Sequence, residues 1–180
     1  MSAYNHMSIL KKTILIVVTV SCLTGCDFTS KKIAKVELKG KTIQSYLGGN
    51  LKLFYTENSA GMLGLGNSLS DGMKYLVFVI FTSLILVVLF IYVIIKNEVN
   101  KWKLVSFILF LSGGFGNLLD RILNNGKVTD FILVEFSSLH TGIFNIADFY
   151  VTIGLIILIF SGFANRKDSS QNDLTADAPL

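Results

Sequence analysis

The sequence predicts an all-α membrane protein, four transmembrane helices carrying a small β-rich extracytoplasmic cradle. Three observations lead there. Of its 180 residues 52% are hydrophobic and only 16% charged, with a mean hydropathy of +0.61, more apolar than a soluble domain of this length requires. Four apolar runs approach the roughly 20 residues that cross a hydrocarbon core of about 30 Å. Between the first two lies a long polar stretch with strand-like alternation, bounded by turn signals.

The spans are expected at about 13–28, 75–95, 104–119 and 144–163. Lipid offers backbone groups no partner, so each must be a helix. Tyr75 to Ile95 has no charge, Gly or Pro and is the plainest of the four. Leu104 to Leu119 is apolar with a glycine-rich end, and Phe144 to Phe163 is apolar apart from Asn145 and Asp148 near its start. Thr13 to Phe28 is the shortest. The polar stretch holds VELKGKTIQ and NLKLFYTEN, in which Leu51, Leu53 and Tyr55 alternate with Lys52, Phe54 and Thr56. That pattern predicts an antiparallel β segment over about 33–66, lying against the membrane. The polar end from about 165 to 180 is expected to be disordered, and the whole of 1–180 to be one integral membrane domain.

The net charge of +4 does not point to nucleic acid, because the lysines flank apolar runs or lie in one polar loop rather than forming a stripe with interleaved aromatics. They suit contact with membrane lipids, with anionic headgroups drawing the lysine-rich loop. Lys11 and Lys12 before the first span and the basic KNEVNKWK connection favour cytoplasmic termini. Cys22 and Cys26 stand four apart in an apolar run, a poor site for a disulfide and too few ligands for zinc. His6 and His140 have no partners at ligand spacing, and Ser138 beside His140 lacks a glycine elbow and an orienting acid. No metal or other cofactor is expected.

Ionisable groups at membrane depth are costly, so each points toward function. SGGFGNLLDRI brings Asn117, Asp120 and Arg121 to the end of the third span, KVTDFI supplies Asp130, FNIADF opens the fourth span with Asn145 and Asp148, and Asp27 closes the first. All fall on one side of the membrane. Two carboxylates in a partly dry site cannot both ionise easily, which leaves a singly protonated pair able to activate water and protonate a leaving amine. Asp130 and Asp148 suit that chemistry; the plain alternative is that each caps a helix or meets an interfacial lysine. Asp120 beside Arg121 reads as an ion pair or substrate clamp rather than a catalyst.

In order and spacing SGGFGNLLDRI, VTDFI and FNIADFYVTIG resemble the signature blocks of lipoprotein signal peptidase, or signal peptidase II, the bacterial inner-membrane aspartic endopeptidase. DFTSK, Asp27 to Lys31, is similar to that family's Asp-Gln-x-Thr/Ser-Lys block, with Phe28 where the family has Gln. The resemblance implies Asp130 and Asp148 as the catalytic dyad. It implies that Asn117, Arg121 and Asn145 order the site and hold substrate backbone, that Asp120 supports Arg121, and that Asp27 and Lys31 act near the outer surface. Asn58 would match the asparagine of the Asn-x-Gly-Ala-Ala-Phe block, but NSAGMLGLG departs from it, with Ala60, Gly61 and Met62 in place of Gly-Ala-Ala. GMLGLG is equally readable as a glycine-rich turn. The implied substrates are prolipoproteins whose cysteine already carries diacylglyceryl, cut before that cysteine. Peptide antibiotics of the globomycin type are the implied inhibitors.

Two other functions fit parts of the sequence. A proton-coupled carrier also uses carboxylates in spans, but it expects polar groups near mid-membrane and repeated halves, and neither is present in the sequence. LTGC, Leu23 to Cys26, resembles the lipidation box of a lipoprotein precursor cut before Cys26. Three more spans would then make the lipid a redundant anchor, so Thr13 to Asp27 is read as a retained helix.

Overall fold

The computed structural model describes residues 8–61, 64–96 and 100–176, with side chains described as far as 161. His6, Met62 and the last four residues of the tail lie outside the described residues. The elements run α1 (Ile9–Leu38), β1 (Gln44–Tyr46), β2 (Leu51–Asn58), α2 (Asp71–Ile95), α3 (Lys101–Leu123), β3 (Val128–Phe136), β4 (Leu139–His140) and α4 (Ile146–Ala176). Among the described residues α1, α2 and α3 are long and apolar enough to cross a membrane, while the apolar part of α4, Ile146–Ser161, is shorter. Side-chain oxygens start three of these helices: Ser8 accepts from Lys11 N, Ser70 from Met73 N and Asn100 from Trp102 N.

The helices meet along a narrow apolar seam. α2 buries Val79, Leu86 and Val93 at seven-residue intervals, against Ile16 and Val20 of α1 and Leu104, Ile108, Leu111 and Leu118 of α3. Its other sides, Ile80, Leu84, Val88 and Ile91, stay exposed, as an apolar helix surrounded by lipid requires. α3 and α4 approach still more closely. Ser106 donates to the Gly154 carbonyl at 2.6 Å, and a Cβ on Gly113 would stand 2.4 Å from the Ala147 carbonyl oxygen. Gly113→Ala should therefore force α4 away from α3, costing about 1–3 kcal/mol. Thermal unfolding in detergent micelles would read this as a lowered midpoint.

The small sheet is antiparallel, in the order β1-β2-β3-β4. β2 pairs with β3 from Leu51↔Val134 to Asn58↔Val128, with a register shift between Leu53 and Thr56. The extra residue on β2 bends the ladder directly beside Asp130, which pairs with Thr56. Phe131, Leu53, Tyr55 and Ile132 seat the sheet on Ala34 and Leu38 of α1.

Three expectations need correction. α1 does not end near residue 28; it continues through TSKKIAKVEL to Leu38. Asp27, Lys31, Ala34 and Leu38 all lie on its buried side, at helical spacing, so VEL belongs to a helix and the strand pairing begins only at Gln44. The sheet also reaches beyond 33–66, since β3 completes it with Val128–Phe136. Finally, helical backbone continues from 165 to Ala176 where disorder was expected, because extending a helix already nucleated by an apolar span costs far less than starting one.

Candidate active site

Asp130 is 2% exposed. Its burial follows from β3, whose first four residues are all buried between α3 and β2. Asn58, at the end of β2, donates from Nδ2 to Asp130 Oδ2 at 3.0 Å, and Asn145 Nδ2 donates to Oδ1 at 2.7 Å. Burial pushes the Asp130 carboxyl up to about 6, aided by the nearby Asp148 charge, while the Asn58 and Asn145 hydrogen bonds and Lys31 pull it down.

Asp148 lies in the first turn of α4. Asn145 and Asp148 bond reciprocally, Asp148 N donating to Asn145 Oδ1 at 3.0 Å and Asn145 N to Asp148 Oδ2 at 3.2 Å. This is a capping box with the carboxylate in the third helical position. Asn117 Nδ2 donates to Asp148 Oδ1 at 2.8 Å. Asp148 therefore does cap its helix, and it also opens, with Asp130, onto one cleft of about 280 Å³ lined by Asn58, Asn117, Arg121 and Phe149 among others. Asn145, fully buried, touches both carboxylates.

Beneath the cleft lies a buried charge cluster. Lys31 Nζ is 2.8 Å from Asp27 Oδ2 and 3.6 Å from Asp120 Oδ2, and it donates to Asn117 Oδ1 at 2.9 Å. Ala147 N, in the first turn of α4, donates to Asp27 Oδ1 at 2.8 Å, so a helix N-terminus and a lysine share one carboxylate. Gly116 makes room for it, since a Cβ there would stand 2.5 Å from Asp27 Oδ2. The cluster joins α1, α3 and α4 at a single point.

Asp120 forms no ion pair with Arg121 among the described residues. Its carboxylate accepts from Thr129 N at 2.6 Å and from Asn124 Nδ2, fastening the start of β3 to the end of α3. Arg121 turns elsewhere, donating from Nη2 to the Ala60 carbonyl at 3.0 Å and lying 5.0 Å over the Phe78 ring. Successive helical residues point in directions about 100° apart, which separates the two. Asn124, one turn after Asp120, and the Ala60 carbonyl went unnoticed in the sequence. The i, i+4 spacing marked the first, and no side-chain signal marks the second.

A family model described as signal peptidase (SPase) II matches residues 17–164. The chain belongs to the signal peptidase II family. A lipoprotein signal peptidase from Borrelia duttonii (strain Ly) is 32% identical over 158 residues, covering 85% of this chain and 91% of its own. One from Chlorobium phaeobacteroides (strain BS1) is 43% identical over 117 residues, covering 61% and 70%. A bacterial membrane enzyme solved by the in meso method at 2.3 Å resolution superposes with a TM-score of 0.74 at 27% identity, covering 86% of this chain and 90% of that one. Membership of this family, with its apolar helices, makes the chain a bacterial membrane protein and a protease of lipoprotein processing.

Proposed function

We propose that this signal peptidase II is an aspartic endopeptidase that removes signal peptides from diacylglyceryl-modified prolipoproteins, with Asp130 and Asp148 as its acid–base pair. The observation that carries the reading is Asn145, one buried side chain and backbone amide bonded to both carboxylates at the edge of a single cleft. One carboxylate takes a proton from water as the water oxygen bonds to the carbonyl carbon before the lipidated cysteine. The C–N bond then breaks, and a proton passes from the pair to the departing amine. Asn117 and Asn145 orient the pair. Asn58 holds Asp130, Arg121 offers charge toward substrate backbone, and Asp27, Lys31 and Asp120 fix the helices from which these groups project.

The whole of 1–180 forms one membrane domain in this reading, with α4 as a fourth crossing. Its apolar part of 16 residues rises about 24 Å, and the sequence GFA after Ser161 extends the apolar stretch toward full thickness. Both termini are then cytoplasmic. The sheet and cleft lie near the outer face, where acyl chains in the bilayer and a signal helix among the spans bring the lipidated cysteine to the carboxylates.

Purified protein in micelles should cut a diacylglyceryl-modified lipobox peptide before its cysteine and leave the unlipidated peptide intact; equal cleavage of both would defeat the substrate assignment. The rate also carries a sign. With Asp130 raised to about 6, its protonated form is lost as pH rises through that value, so kcat/KM should fall on the alkaline side of about pH 6. The same shift makes this group's contribution to stability greatest at low pH and lost as pH rises from 3.8 through 6. A pH profile flat between 5 and 8, roughly the span over which such a group titrates, would remove Asp130 from the chemistry.

A further inference from the structure

α2 is interrupted by a π-helical turn over Leu76–Phe81. Such a turn inserts a residue relative to an α-helix and turns the face before it by about 100°. Phe78, one residue before Val79, lies about 100° from the seam marked by Val79, Leu86 and Val93 and meets the loop that follows β2. A Cβ built on Gly61 would meet Phe78 Cε1 at 3.1 Å, and one on Gly66 would meet Phe78 Cζ at 3.0 Å. A larger residue at either position would crowd the ring, and Gly66 also holds a left-handed φ of 79° that favours glycine. Gly61 N donates to the Leu65 carbonyl at 2.8 Å, so the two ends of the clasp are tied together. On the remaining side the Arg121 guanidinium lies 5.0 Å from the ring centre.

From that ring a continuous path leads to Asp130. Arg121 Nη2 donates to the Ala60 carbonyl at 3.0 Å. Ala60, 1% exposed, donates its N–H to Asn58 Oδ1 at 2.9 Å. Asn58 then has only one orientation left, with Nδ2 on Asp130 Oδ2 at 3.0 Å. Arg121 Nε has no hydrogen-bond partner among the described residues, and the aromatic face adds to the attraction of the cation for Asp148, Asp130 and Asp120.

We propose that Phe78 is a positioning residue for this peptidase: its ring, clasped by Gly61, Gly66 and Arg121, fixes Ala60 and through it the Asn58 amide on Asp130. The proposal deepens the aspartic reading above and rests on it for the catalytic consequence. The ring makes no contact with substrate and acts only through its neighbours. A side chain of the same apolar bulk without a π face keeps the packing and loses the hold on Arg121; a methyl loses both.

The test compares Phe78→Leu, Phe78→Ala, Asn58→Ala and the double variant Asn58→Ala/Phe78→Ala, each confirmed folded by circular dichroism in micelles. Two readouts are needed: kcat and KM on the lipidated peptide, and titration of the Asp130 carboxyl by isotope-edited NMR without substrate. Phe78→Ala should lower kcat by about ten- to a hundredfold, the scale of a misplaced catalytic group, with a smaller change in KM and an intermediate value for Phe78→Leu. Asn58 lowers the Asp130 carboxyl through its hydrogen bond, so Asn58→Ala and Phe78→Ala should both move the titration upward. The double variant should go no further than either alone, as expected of residues acting in one chain. Additive effects, or an Asp130 titration moved by Asn58→Ala and untouched by Phe78→Ala, would overturn the proposal, as would a titration that neither variant moves. Cleavage that survives Asp130→Asn would overturn the aspartic reading instead, and the titration would still decide whether Phe78 governs Asn58.

Discussion

Asp130→Asn and Asp148→Asn are each expected to reduce cleavage of the lipidated peptide by about 10²- to 10⁴-fold, the range for removing a positioned acid or base. Both substitutions are isosteric, so the cleft keeps its shape. What changes is proton chemistry. An amide can neither take the proton of the attacking water nor return one to the leaving amine. Thermal midpoints separate chemistry from folding. Asp148 accepts from Asn145 N and Asn117 Nδ2 while capping α4, so Asp148→Asn should cost about 1 kcal/mol, as lost caps do. Asp130 caps no helix, but both its oxygens accept from buried amides, so Asp130→Asn sets one donor against another and should cost about 1–3 kcal/mol at the cleft rather than at α4. Rates on the peptide, set beside thermal midpoints in the same micelles, make the comparison; wild-type cleavage by either variant would exclude that carboxylate from the mechanism.

Lys31→Met should be more damaging to the fold than either. The lysine is 3% exposed, and its ammonium is the cation nearest both Asp27 and Asp120. Methionine keeps most of the volume but leaves two carboxylates without a counter-charge in a dry setting. Breaking a buried pair from one side typically costs about 3–5 kcal/mol. Asp27 would then be left holding the Ala147 amide without the lysine that balances it, loosening α4 where Asn145 and Asp148 begin. The measurable result is a large fall in thermal midpoint together with loss of cleavage. A second substitution, Asp27→Asn, would relieve part of the charge imbalance and should recover some stability in the double variant. Wild-type stability of Lys31→Met would mean that water or another group satisfies the cluster.

The apolar spans were legible because lipid leaves them few alternatives: an uncharged run such as Tyr75 to Ile95 can only be helical. The meeting of Asp27, Asn117, Asp130, Asn145 and Asp148 was legible for a related reason, since polar residues in or beside apolar helices are costly unless they find one another. What escaped was set by tertiary packing. The extension of α1 to Leu38 depends on Ala34 and Leu38 finding Phe131, nearly a hundred residues later, and alternation in VEL concealed it. The strand character of VTDFILVEF is hidden by Asp130, a residue type depleted in strands. The separation of Asp120 from Arg121 follows from helical geometry and was available from the start, but adjacency in the chain suggested a pair. Phe78 was unreadable, because its contacts come from the loop after β2 and from Arg121, and nothing in LVFVIF announces them.

Asp27 and Lys31 are four residues apart on one helix, which bears on how the chain enters the bilayer. During synthesis α1 emerges alone, long before Asn117, Asp120 or Ala147 exist to receive its charges. A carboxylate or an ammonium by itself would resist leaving water, but the i, i+4 spacing lets each neutralise the other within the same turn. The first helix can therefore partition as a self-compensated unit and wait. Its partners arrive in order, α3 first and the N-terminus of α4 last, so the Asp27–Lys31 cluster and the cleft beside it close only once α4 has been made, and a chain lacking α4 carries Asp130 without Asp148.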